Sequence, residues 1–333
     1  MRCLIIAEAG VNHNSDLNTA LKLIDAAVEA GADVVKFQTA VPHLVVTKAA
    51  RMAKYQIQNT GVEESQLEMT KKIHLPLSDF KKLQEYCNRK SIIFCTTAFD
   101  LESLEYIHGM DLDFYKIPSG EITNLPYLKR IADFGKPLIL STGMSHIDEV
   151  KIAIEILLKN GAKRDLITVL HCTTEYPAPI DEVNLRAMKT LGDQLGVRVG
   201  YSDHTLGIEI SIAAVAMGAS VIEKHFTLDK KATGPDHKAS LNPIELKQLV
   251  TAIRNIEKAF GNGVKAPTPS EIPNRSIARK SIVAKCSIAL GEKFTEENLT
   301  TKRPGSGLSP LLWDELIGKA AGKCFEEDDL IEL

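Results

Sequence analysis

From residue 4 to about residue 261 the chain repeats one pattern: a short run of apolar, often β-branched residues, a polar turn, and then a stretch with apolar positions at helical spacing. The apolar runs fall at 4–8, 34–38, 92–96, 114–117, 137–141, 167–171, 198–201 and 221–225, which predicts eight strands. Between them, segments such as 19–28 place Leu21, Ile24 and Val28 on one helical face, and Gly31, Gly161 and Gly218 follow such segments as helix stops. Uniformly apolar strands alternating with helices imply parallel pairing with both faces covered, and eight such units imply closure into a (β/α)8 TIM barrel. An open doubly wound sheet is the rival. It usually needs fewer units, and no G-x-G-x-x-G follows the first strand.

Two departures from the repeat matter. The stretch from Pro42 to about His74 is too long for a simple strand-to-helix loop and lies where loops of this architecture carry function. After Gly261 the chain turns to glycine, proline and small polar residues, which predicts a linker over 262–280. The remainder, 281–333, reads as a small β-rich domain. It is short enough to need support from the barrel domain (1–261) or from a second subunit.

In a (β/α)8 enzyme the active site lies at the C-terminal strand ends, and here nearly all of them are polar. They carry Glu8; Lys36 and Gln38; Thr97; Lys116, Ser119 and Glu121; Ser141; His171, Thr174 and Tyr176; Ser202 and His204; and Glu223, Lys224 and His225. A single serine or threonine after a strand is as well explained as a helix cap, but eight coincident polar ends are not. Lys36 and Lys116 with several hydroxyls suit a small ligand carrying phosphate and carboxylate. His204 and His225 end neighbouring strands and could share a six-coordinate divalent ion such as Mn2+, with Mg2+ or Co2+ as alternatives. Separate hydrogen-bonding or acid–base roles for the two rings stay open, as does a contribution from His171.

Charge and composition narrow the partners. Forty basic against 43 acidic side chains give a net charge of -3, with no general attraction to nucleic acid or anionic membrane. Six scattered cysteines without C-x-x-C spacing, and an N-terminus without a signal-peptide core, predict a cytoplasmic enzyme with reduced thiols.

At these same positions the chain resembles the sialic acid synthase family, which includes N-acetylneuraminate and N,N'-diacetyllegionaminate synthases. The resemblance runs through 5–14 (IIAEAGVNHN), 35–39 (VKFQT), 115–121 (YKIPSGE), 140–144 (LSTGM), 171–177 (HCTTEYP), 200–205 (GYSDHT), 223–227 (EKHFT) and 234–237 (GPDH). The tail is similar to that family's antifreeze-like, or SAF, domain around 302–305 (KRPG). The resemblance implies that phosphoenolpyruvate and an open-chain N-acetylated amino sugar condense with water to a nine-carbon nonulosonic acid and phosphate. It implies that Lys36, Thr97, Lys116, Ser119, Ser141, Thr174 and Ser202 hold phosphoenolpyruvate, Thr174 standing where some relatives have asparagine. Gln38, Tyr176 and Asp236 then surround the sugar, and His204 and His225 bind the metal. Glu121 handles the catalytic water, with Glu8 as the alternative. Arg303 reaches from the SAF domain of one subunit into the other's site in a homodimer. Stretches such as 117–124 and 236–240 resemble the legionaminate branch, which implies 2,4-diacetamido-2,4,6-trideoxymannose as acceptor, with N-acetylmannosamine as the alternative. A metal-free aldolase using Lys36, Lys116 or Lys224 as a Schiff-base nucleophile, or a carbohydrate-binding protein without activity, are the rival functions.

Overall fold

The computed structural model describes residues 2–332; Met1 and Leu333, which bound the two domains read from sequence, lie outside the described residues. The chain divides into two compact units, Met1–Phe260 and Gly261–Leu333.

The first unit is an eight-stranded parallel barrel. Its strands are β1 (Leu4–Gly10), β2 (Val34–Thr39), β3 (Ile93–Ala98), β4 (Tyr115–Ile117), β5 (Leu138–Ser141), β6 (Ile167–Cys172), β7 (Arg198–Asp203) and β8 (Val221–His225). They hydrogen-bond in the order β3-β2-β1-β8-β7-β6-β5-β4, and β3 and β4 come side by side without ladder pairing, so the barrel is nearly closed. All eight strands fall where the apolar runs predict them. The observed ends extend one to two residues further in β1, β2, β3, β6 and β7, because the ladder continues past each apolar run, as in the pairs Gly10↔Phe37, Thr39↔Ala98 and Cys172↔Ser202.

Registers such as Glu8↔Lys36, Glu8↔His225 and Ser202↔Glu223 bring the polar strand ends level with one another. Outside the strands, Leu23, Ile24, Phe80, Leu83, Leu104, Leu128, Leu157, Leu246 and Ile253 pack the helices onto the barrel in one continuous apolar layer. Inside it, Ile6, Val34, Cys95, Phe114, Ile139, Leu170 and Val221 form a separate cluster that plugs the barrel. Gly200 belongs to the same level on β7, and a Cβ there would stand 2.4 Å from the Val221 carbonyl oxygen and 2.7 Å from Leu170 Cδ2, so only glycine fits.

The long segment after β2 is not a bare loop. It folds into short helices Pro42–Val45, Lys54–Thr60 and Gln66–Ile73, the last capped by the Ser65 side chain. Asn59 anchors the middle helix by donating to the carbonyls of Tyr176 (3.1 Å) and Pro235 (2.6 Å).

The second unit pairs β9 (Ser281–Ala284) antiparallel with β10 (Leu299–Lys302) around its own small core of Ile282, Ile288, Phe294, Leu299, Phe325 and Ile331. The 262–280 stretch carries a short helix, Ile272–Ala278, whose proline sits in the first turn where its missing N–H is harmless. No helix among the described residues is long and apolar enough to cross a membrane.

Candidate active site

The two-residue period of a strand decides what stands above the plug. Two positions beyond Ile6, Val34, Cys95, Phe114, Ile139, Leu170, Gly200 and Val221 come Glu8, Lys36, Thr97, Lys116, Ser141, Cys172, Ser202 and Glu223. All eight line one cavity of about 160 Å³. Two positions further, Gln38, Phe99, Pro118, Thr174, His204 and His225 form its upper wall. Each strand thus runs from an apolar plug through one inward polar residue to the rim.

The polar level is a lattice of alternating charges. Lys36 Nζ lies 2.9 Å from Glu8 Oε2 and 3.6 Å from Glu223 Oε2, and donates to Thr97 Oγ1 at 3.1 Å. Lys116 Nζ donates to Ser141 Oγ at 2.7 Å and lies 3.6 Å from Glu223 Oε1, which also accepts from Ser202 Oγ at 3.0 Å. Gln38 Nε2 donates to Glu8 Oε1 at 3.0 Å. Burial opposes the ionisation of Glu223, yet Lys116 and Lys36 hold its carboxyl down at about 2. Burial would lower Lys36 as well, but Glu223 and Glu8 outweigh it and the ammonium is held charged. Glu8 is pushed up to about 7 by burial, with Lys36 pulling the other way. Lys116 is lowered, first by burial and then by the repulsion of Lys36, against the pull of Glu223.

Of the residues assigned to phosphoenolpyruvate from the sequence, all line this cavity: Lys36, Thr97, Lys116, Ser119, Ser141, Thr174 and Ser202. Thr174 Oγ1 is buried without a hydrogen-bond partner, a donor left for a ligand. Ser119 Oγ accepts from the Gly143 amide at 2.9 Å, and a Cβ on Gly143 would fall 2.1 Å from Thr174 Oγ1, so that glycine keeps the cavity open.

A second cavity of about 210 Å³ adjoins the first through Gln38, Phe99, Tyr176 and His225. It holds Asp236, with Tyr55, Gln56 and His74 from the segment after β2. Of the residues assigned to the sugar from the sequence, Asp236 lines the second chamber alone, Gln38 and Tyr176 line both, and Arg303 lines neither. Burial pushes Asp236 up to about 7. Tyr176 stacks at a tilt on His204 at 4.2 Å and on Tyr55 at 5.1 Å between ring centres.

His204 and His225 face each other with ring centres 5.6 Å apart. A 2.6 Å contact from His204 Nδ1 to the Thr173 carbonyl requires the proton on Nδ1, which leaves Nε2 as the acceptor nitrogen, 3.4 Å from Ser202 Oγ. His225 Nδ1 is buried without a hydrogen-bond partner, 3.9 Å from Asp236 Oδ2. Burial lowers both rings, so they are neutral. This donor set fits an open divalent site, two imidazoles leaving positions for water and substrate oxygens. Among the described residues no cluster of three or more His, Cys, Asp or Glu side chains could enclose a metal alone.

Other sequence candidates fall elsewhere. Glu121 lies in a single turn after β4, half-buried, accepting from Asn124 Nδ2 at 2.5 Å, and is not among the residues lining either chamber. Lys224 points away from the cavity, to Asp203 Oδ2 at 2.9 Å and the Thr205 carbonyl at 2.6 Å, which removes it as a nucleophile within the chamber. His171 Nε2 bonds the Val183 carbonyl at 2.8 Å. Arg303 is exposed within the second unit. Glu223, named among the polar strand ends but given no role, and Cys172 and Gly143, given none either, also belong to the site. The first two carry a signal, since each stands two positions beyond an apolar inward residue.

Comparison with known proteins agrees with this geometry. The chain is 56% identical over 330 residues to the N,N'-diacetyllegionaminic acid synthase of Campylobacter jejuni, covering 99% of each chain. It is 45% identical to the enzyme of that name from Legionella pneumophila, covering 96% of this chain and 90% of the other. The crystal structure of N-acetylneuraminic acid synthetase from Leptospira borgpetersenii, in complex with citrate, superposes with a TM-score of 0.72 at 35% identity, covering 82% of this chain and 90% of that one. A SAF domain profile matches residues 279–332. The profile of the NeuB family matches residues 23–265, most of the barrel and its polar level, and on that match and these relatives the chain belongs to the NeuB family.

Proposed function

We propose that this chain condenses phosphoenolpyruvate with 2,4-diacetamido-2,4,6-trideoxymannose and water to give N,N'-diacetyllegionaminate and phosphate. The observation that carries the reading is the pair of joined chambers, one polar and lysine-bearing, the other bordered by Gln38, Tyr176 and Asp236. Its support for the particular sugar is the 56% identity to a diacetyllegionaminate synthase across the whole chain.

Lys36 and Lys116 hold the donor's phosphate and carboxylate, with Thr97, Ser141, Ser202 and the unpartnered Thr174 hydroxyl completing the contacts. His204 and His225 would hold a divalent cation, Mn2+ in the first instance, which when bound supplies Lewis acidity toward the sugar aldehyde. The enol double bond of the donor supplies the electron pair for a new bond from its C3 to the aldehyde carbon, whose oxygen takes a proton. Water then adds at the donor's cationic C2 and loses one proton, and cleavage of the bond from C2 to the ester oxygen expels phosphate, which takes the remaining hydroxyl proton, and leaves the ketone. Glu8 takes the water's proton in this reading, supported by its position in the lining of the donor chamber and by a carboxyl that burial pushes to about 7, near working pH. Glu121 is the alternative.

The working unit we propose is a cytoplasmic homodimer in which Arg303 of one subunit serves the other's barrel, supported by the exposure of Arg303 and the six unpaired cysteines. The deciding experiment is phosphate release from phosphoenolpyruvate with a panel of amino sugars. The expected result is no release without sugar and the highest kcat/KM with the diacetamido trideoxy sugar. Equal or reversed preference for N-acetylmannosamine would overturn the substrate assignment, and sugar-independent turnover would overturn the reaction.

A further inference from the structure

The segment after β2 contributes to the second chamber a surface that the condensation chemistry leaves unused. The residues that chamber shares with the donor chamber, Gln38, Phe99, Tyr176 and His225, mark where the two substrates meet, and so where the acceptor's aldehyde end lies. Besides these shared residues, and beside the polar Gln56, Gln66, Thr70 and His74, the segment supplies four aliphatic side chains to the lining, Val45, Val46, Met69 and Ile73. Met69 is 5% exposed and lies on the helix Gln66–Ile73. Nothing in phosphoryl or aldehyde chemistry calls for aliphatic groups there. The far end of an open-chain acceptor does, if that end is a methyl group.

We propose that Val45, Val46, Met69 and Ile73 are specificity residues that read the C6 methyl of a 6-deoxy acceptor. The inference rests on the reading of the chain as an amino-sugar condensing enzyme and adds which atom of the sugar is selected, and by which residues. A C6 hydroxyl placed against these aliphatic groups gives up its bond to water, whereas a methyl loses nothing. A hydrophobic pocket rejects an added hydroxyl only by up to about a hundredfold, so the expected preference is about ten- to hundredfold. The same segment is fixed at the mouth by Asn59, which bonds the carbonyls of Tyr176 and Pro235, so the wall is held against the chamber.

The test uses the full-length enzyme and two acceptors that differ only at C6, 2-acetamido-2,6-dideoxymannose and N-acetylmannosamine, with the diacetamido trideoxy sugar alongside. The variants are Val46→Thr, near-isosteric at a half-buried position, and Met69→Gln. The wild type should favour the 6-deoxy partner of the pair by about ten- to hundredfold in kcat/KM. Each variant should shrink that ratio at least about threefold while leaving KM for phosphoenolpyruvate unchanged. Because the readout is a ratio within one preparation, partial loss of folded enzyme cancels. A wild type that favours the trideoxy sugar but treats the C6 pair alike, or variants that preserve the ratio, would overturn the inference while sparing the reaction. Failure of every sugar to elicit phosphate release would instead overturn the functional reading itself.

Discussion

Lys224 and Asp203 form a buried ion pair behind the histidines, and breaking it from each side should give unequal losses. Both side chains are no more than 1% exposed and lie 2.9 Å apart. At an effective dielectric of about 20 that separation corresponds to about 6 kcal/mol of attraction, and removing one partner of such a pair usually costs about 3–5 kcal/mol. Lys224→Met leaves the carboxylate with the Thr205 amide (2.9 Å), the Thr205 hydroxyl (2.7 Å) and the Ser211 hydroxyl (2.6 Å) as donors. Those donors place the loss at the low end, about 3 kcal/mol, or about 6 °C in Tm for a unit of this size. Asp203→Asn should lose less, because burial already lowers the Lys224 pKa and the ammonium can shed its proton while still donating to the Thr205 carbonyl. That smaller deficit should shrink further from pH 7 to pH 9, since deprotonation is what relieves it. The double variant should recover at least about 1 kcal/mol over Lys224→Met, because the amide nitrogen introduced by Asp203→Asn can donate to Ser211 Oγ. Urea and thermal unfolding of the four proteins would measure this. A double variant no more stable than Lys224→Met, or Asp203→Asn as damaging as Lys224→Met, would refute the reasoning.

Chelation should abolish sugar-dependent phosphate release and Mn2+ should restore it, while His204→Gln/His225→Gln should neither turn over with Mn2+ nor show saturable Mn2+ binding by electron paramagnetic resonance. Gly143→Ala should raise KM for phosphoenolpyruvate at least about tenfold, about 1.4 kcal/mol, because the new methyl meets Thr174 Oγ1; an unchanged KM would show that this hydroxyl is not used. His13 is held neutral, its pKa lowered to about 3 by burial and then by His74, from 6.5. The unfolded chain therefore binds the extra proton between those values, and stability is lost as pH falls from 6.5 toward 3, by up to about 1.4 kcal/mol per unit. Urea midpoints at pH 6, 5 and 4 should fall more gently in His13→Asn, and parallel slopes would count against this. Inactive Arg303→Ala and Lys116→Ala proteins, mixed under conditions that exchange subunits, should regain up to about a quarter of the sites if Arg303 acts across a dimer. Verified exchange without regained activity would place Arg303 in its own barrel's service or in none.

The barrel is readable because each strand must bury two faces and each helix one, which leaves alternating apolar runs and amphipathic stretches, and their count of eight favours closure over an open sheet. The polar strand ends follow directly. Parity against Val221 turns Glu223 inward, but its partners stay hidden until the β7–β8 register puts it opposite Ser202 and within reach of both lysines. Lys224 misleads for the converse reason: neighbouring positions on a strand point to opposite faces, and parity against Val221 assigns it outward. Gly143 and Gly200 leave no trace at all, since what they supply is unfilled space, which depends on partners distant in sequence. The helices within 42–73 are hidden too, as apolar positions such as Val45, Met69 and Ile73 line a chamber and belong to none of the core clusters.

The charges of the polar level balance. With all four ionised, Lys36, Lys116, Glu8 and Glu223 sum to zero, so the closed lattice casts little field to draw an anion in from solution. If Lys36 and Lys116 hold the donor as proposed, the barrel acts as an ion exchanger with its own resident counter-ions: an arriving phosphate and carboxylate must displace Glu8 and Glu223 from the ammonium groups beside them. Selectivity then rests on how much negative charge a guest brings to the two lysines, and a monoanion brings too little to replace both carboxylates. The exchange also runs backward without help, for when phosphate departs the two carboxylates close again on the lysines and no bulk anion is needed to regenerate the site.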